Sequence, residues 1–114
     1  MNEIFAQGDL LIERVDDVLP SGAEIHALDD GAVVLAEGEA TGHRHAIYDA
    51  VTMFRDDGLA RDIPEGLYIG HVRVLGDTAC VQHDEHSTID LPKGTWRVRR
   101  QRELEPRDVR IVSD

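Results

Sequence analysis

Four of the six histidines fall in two short groups, His43-Arg44-His45 and His83-Asp84-Glu85-His86. Neutral imidazole offers an unshared electron pair at physiological pH, which makes histidine the commonest side chain to ligate a metal ion. Two imidazoles at i and i+2 on an extended strand project from one face, side by side, and can grip a single ion. The second group brackets a tight polar corner, where both rings converge or one ligates while Glu85 faces solvent. Glu39, four residues ahead of His43, is close enough in sequence to reach the same ion, and Gly42 lets the backbone come near it. His43, His45, His83 and His86 are therefore the candidate metal ligands. Glu39 and Glu85 are the candidate general bases where they do not ligate. Such a donor set suits zinc, or a redox metal such as iron, manganese, nickel or copper. The competing readings are a pair of pH-responsive surface patches and a purely structural hydrogen-bond network.

Other reactive side chains fit blander roles. His26 and His71 stand alone and read as satisfied strand residues. Cys80 is the single cysteine and lies in the apolar run Thr78-Ala79-Cys80-Val81, where it reads as a small buried hydrophobe. One cysteine excludes an intrachain disulfide and a cysteine-rich zinc site. Arg97, Arg99, Arg100 and Arg102 read as a solvated strand face pairing with carboxylates, the alternative being a pocket for an anionic substrate. The sequence contains no glycine-rich phosphate cradle and no nucleophile elbow.

The elements that must position the histidines are short. Turn signals recur at Gly8, Pro20-Ser21-Gly22, Asp29-Asp30-Gly31, Gly38, Gly42, Asp56-Asp57-Gly58, Pro64-Glu65-Gly66, Gly76-Asp77 and Pro92-Lys93-Gly94, leaving little room for helices. Between them, strands are expected at 10–15, 32–36, 43–48, 51–54, 67–75, 78–83, 88–91 and 95–100, with a short closing strand at 109–112. The weak helical candidate is 55–61. This spacing predicts one all-β domain over residues 1–114, a small sandwich, jelly roll or barrel. Period-two alternation sets Trp96 and Val98 against Arg97 and Arg99, and puts His43 and His45 on the face of Ile47.

Composition narrows the partners. Hydrophobic residues make up 41% of the 114 residues and aromatics 4%, so the core must come from Val, Ile and Leu. Twelve Lys and Arg against 23 Asp and Glu give a net charge of −11. Such a field repels phosphate backbones and anionic lipid, which argues against nucleic acid and membrane as partners. No signal segment or spanning run is evident, and the expected compartment is the cytoplasm.

Gly42-His43-x-His45 resembles the first metal motif of the cupins, and Leu91-Pro92-x-Gly94 resembles the turn of their second motif. That resemblance implies a double-stranded β-helix whose metal is held by three histidines and a glutamate. Tyr48, Asp49 and Ala50 stand where a cupin places its glutamate, and His83 and His86 precede the Pro-x-Gly turn instead of following it. The chain is also similar over most of its length to small bacterial and phage-borne proteins of no assigned function. Their pattern runs Gln7-Gly8-Asp9, Glu37-Gly38-Glu39-x-Thr41-Gly42-His43-x-His45, His83-x-Glu85-His86 and Leu91-Pro92-x-Gly94-x-Trp96. Three functions remain open from sequence: a small metal-dependent enzyme acting on a small molecule, a structural zinc site in an interaction module, or a metal-free β-domain that forms a homo-oligomer through exposed strand edges.

Overall fold

The computed structural model describes residues 3–37 and 43–101. Glu39, Gly42, Arg102 and the strand expected at 109–112 lie outside the described residues. Within them the chain is all-β. The strands are β1 (Ile4–Gln7), β2 (Leu10–Val15), β3 (Ala23–Ile25), β4 (Val33–Glu37), β5 (Arg44–Ile47), β6 (Val51–Arg55), β7 (Tyr68–Gln82) and β8 (Ile89–Arg100). The helical candidate at 55–61 is a single 3-10 turn at Asp57–Leu59, capped by Asp56, whose carboxylate accepts from the Gly58 amide. No helix among the described residues is long and apolar enough to cross a membrane.

All pairings are antiparallel, and the sheet runs β1-β2-β8-β7-β5-β4. β6 attaches to the first part of β7 and carries β3 on its other side. Two strands are longer than the turn signals imply. Gly76-Asp77 and Pro92-Lys93-Gly94 do not end strands; they face each other inside the β7–β8 ladder. Val74 pairs with Gly94 and Thr78 with Pro92, so β7 spends three residues where β8 spends one. Such an irregularity accommodates a proline that cannot donate to the ladder and bends both strands without breaking either. β1 and β3 are short and mostly half-exposed or exposed, and carry no clear alternation to mark them as strands.

The alternation that was legible holds. Trp96 and Val98 are fully buried, while Arg97 and Arg99 are only partly so. Leu10, Ile12, Val33, Leu35, Ile47, Met53, Val72, Val81, Leu91, Trp96 and Val98 form one continuous core drawn from six strands. Phe5 packs on Trp96 at 5.5 Å, the Arg14 guanidinium covers the indole at 4.4 Å, and the indole N–H donates to the Pro92 carbonyl. Truncating a buried indole removes both its transfer energy and its packing. Trp96→Ala is expected to lower unfolding free energy by about 3–5 kcal/mol in urea titration. A loss under about 1 kcal/mol would mean that Trp96 does not organise the core.

Candidate functional site

β1 and β5 are four places apart in the sheet, which in a flat sheet means a separation of roughly 19 Å. Yet the side chain of Gln7, at the end of β1, lies 2.8 Å from His45 on β5. The sheet therefore curls until its β1–β2 end closes over β5 and the β7–β8 corner. The two histidine groups meet at this closure, although about forty residues separate them.

Four imidazoles cluster there. The His45 ring lies 4.4 Å from that of His83 and 6.2 Å from that of His86, to which it is parallel within 6°. His83 is 4.5 Å from His86 and 5.9 Å from His43. The sequence reading placed His43 and His45 in one cavity. Both do lie against His83, but their settings differ. His45 is 3% exposed and inside β5, whereas His43 precedes the strand, where strict alternation no longer holds, and is half-buried.

A cavity of about 520 Å³ opens beside the cluster. His43 and His83 line it together with Glu37, Arg44, Tyr48 and Thr88, while His45 lies behind them. The Arg44 guanidinium is already engaged, by Asp30 at 2.8 Å and the Tyr48 hydroxyl at 3.1 Å.

Gln7 decides the chemistry of His45. Its amide nitrogen donates to the carbonyls of Val81 and Ser87, at 3.1 and 2.8 Å. Its amide oxygen is thereby left facing His45 Nδ1, and it can only accept. His45 must therefore carry its proton on Nδ1 and keep the Nε2 electron pair bare. Burial, helped by the neighbouring His83, pushes the His45 pKa down to about 4, so the ring is neutral at physiological pH. Burial and then His86 lower His83 as well.

The other rings are held differently. His83 Nδ1 accepts the Glu85 backbone N–H at 3.0 Å, so its neutral form carries the proton on Nε2. Glu85 Oε1 lies 3.2 Å from His43 Nδ1, which gives Glu85 an orienting role for that ring. Among the described residues no three His, Cys, Asp or Glu side chains bring their donor atoms to one point within ligating distance. The rings are gathered, but His83 must exchange its bond to Glu85 before its nitrogens can serve.

The Gln7-Gly8-Asp9 turn forms the floor of the cluster. Gly8 has φ 60° and no other residue type among the described ones has positive φ, the pattern of a type II′ hairpin turn. A Cβ at Gly8 would stand 2.8 Å from His86 Nε2 and 3.3 Å from His45 Cε1. Only glycine both adopts this turn and leaves that space clear. Gln7 and Asp9 were missed as site residues because nothing in their spacing relates them to residues 43–86.

The remaining candidates fall elsewhere. His71 is buried and bonded through Nδ1 to the Tyr68 hydroxyl at 2.7 Å, as a satisfied strand residue should be. His26 is exposed beside Glu24. Cys80, expected to be buried, is half-buried because it sits on the outward face of β7, where its backbone N–H is held by Asp49. Arg97 pairs with Glu13 and forks onto Asp62, and Arg100 pairs with Asp9, as the carboxylate-pairing reading expects. The face is less solvated than expected, since Arg97 is only 14% exposed and Arg99 Nε is buried without a hydrogen-bond partner among the described residues.

Because His45 binds its proton less readily folded than unfolded, the unfolded chain takes up protons first as pH falls. Stability is then lost between about pH 6.5 and pH 4, by on the order of 3 kcal/mol for this ring. In chelator, the stability gap between wild type and His45→Gln is expected to narrow over that window. A gap that is constant from pH 7 to pH 4 would show that His45 titrates normally.

No curated protein and no solved structure matches the chain. One family does match, over residues 6–101, a span that takes in the Gln7-Gly8-Asp9 floor and both histidine groups. The chain belongs to the DUF8820 family, a domain of unknown function.

Proposed function

We propose that this protein binds a divalent metal ion through His43, His45, His83 and His86, and that the ion serves chemistry on a small molecule entering the adjoining cavity. The carrying observation is the convergence of two remote histidine groups on one spot that Gly8 keeps free of side chain. The donor chemistry fits, since the Gln7 amide leaves a bare nitrogen pair on a buried, neutral His45. Imidazole donors suit zinc or a redox metal among iron, manganese, nickel and copper.

The cavity at His43 and His83 supports a catalytic role over a closed structural site, because a catalytic ion keeps a position open to water or substrate. A bound ion supplies Lewis acidity or a water of lowered pKa. The chain's own contribution is to orient the rings and to hold His45 out of bulk water. Glu85 orients His43 and is the general base of this reading when it swings off that ring; Glu39 lies outside the described residues. A structural zinc is the second reading, favoured by the way the cluster ties the β1–β2 hairpin, β5 and the β7–β8 corner together.

Metal that binds only the folded state stabilises it by roughly 3 kcal/mol at a hundredfold excess over Kd. Chelator is therefore expected to lower the Tm of wild type by several degrees and to leave His45→Ala unmoved. Ligation needs neutral imidazole, so affinity is expected to fall below about pH 6. His26→Ala and His71→Ala are expected to bind metal like wild type, although His71→Ala loses stability with its Tyr68 bond. If no metal co-purifies and chelator leaves the wild-type melting curve in place, the reading is wrong. An ion that keeps an exchangeable water beside its protein donors would favour the enzyme, and an ion whose every position is filled by protein the structural site.

A further inference from the structure

We propose that Asp9, on the β1–β2 turn, is the site's oxygen ligand and binds the ion beside His45; this rests on the metal-site reading above. Its Oδ2 is anchored by the Arg100 guanidinium at 2.6 Å. Its Oδ1 is 4.0 Å from His45 Nε2.

That second contact has an odd character. Gln7 Oε1 accepts the Nδ1–H of His45, so Nε2 presents an electron pair and no hydrogen. A carboxylate oxygen and a bare ring nitrogen are both Lewis bases, and this separation is bridged either by a cation or by a water that donates to both. The gap is too long for a hydrogen bond. It is close to what a shared ion requires: two donors each about 2.1 Å from one ion lie roughly 3.4 Å apart at the tetrahedral angle and up to about 4.2 Å when opposed. The turn itself allows the approach, because Gly8 carries no side chain into the space between His45 and His86. Arg100 holds one carboxylate oxygen and leaves the other to coordinate, as the outer partners of metal ligands do.

The test uses the full chain, zinc competed against a chromophoric chelator, and cobalt(II) as a spectroscopic probe. Asp9→Asn removes a direct ligand, so it is expected to weaken zinc binding by more than the roughly ten- to hundredfold that loss of an outer partner costs, and to shift the cobalt visible bands. Asp9→Glu is expected to recover part of the affinity. Arg100→Gln removes the outer partner but keeps the ligand, and is expected to weaken binding by about tenfold, less than Asp9→Asn. Metal-free melting of each variant identifies one that has lost its fold, in which case the Asp9→Glu and Arg100→Gln comparison decides. Wild-type affinity and an unchanged cobalt spectrum in Asp9→Asn, with binding lost in His45→Ala, would overturn the role of Asp9 and leave the histidine site standing. An Arg100→Gln loss equal to that of Asp9→Asn would also overturn it, since Asp9 would then act through its ion pair. Wild type that binds neither metal ends both readings.

Discussion

The side-chain amide of Gln7 is fully buried, and each of its polar atoms is spoken for. Two donations go to the backbone around the β7–β8 corner and one acceptance comes from β5. An amide in this position tolerates no vacancy, because a buried donor or acceptor left unmatched costs about 1–3 kcal/mol. The bonds hold the N-terminal hairpin against strands that are distant in the sheet, and they assign the proton of His45. Gln7 fastens the closure of the curved sheet, orients the central imidazole and fixes where Gly8 and Asp9 stand.

Electrostatics around the site divides into a buried neutral part and a paired charged rim. Arg14, Arg44, Arg55, Arg73, Arg97 and Arg100 each meet a carboxylate, so most of the described basic residues are consumed within the surface. The carboxylate excess gives the molecule a net charge of −11, which draws cations toward it and repels anions. A neutral His45 in such a field favours a cation over an anion at the ring cluster.

Much of the strand pattern was legible, since turn residues and alternation are local signals. Leu10, Ile12, Trp96 and Val98 point inward as their period-two positions require. The continuity of β7 and β8 was not legible, because Gly76 and Pro92 carry the same signal in a bulge as in a turn. The four histidines drew attention by type and crowding alone. Gln7 and Asp9 did not, since their relation to His45 is made by sheet curvature, which no spacing along the chain records. His43 illustrates the middle case: its i, i+2 relation to His45 was plain, but the strand begins one residue after it.

The contacts of Gln7 span 74 and 80 positions of sequence. Closing loops of that length is entropically unfavourable until the strands between them are packed. The histidine cluster is thus a property of the finished fold and has no existence as a local motif. A chain lacking its first nine residues would keep every histidine of the cluster, yet lack the proton lock on His45, the floor at Gly8 and the carboxylate of Asp9.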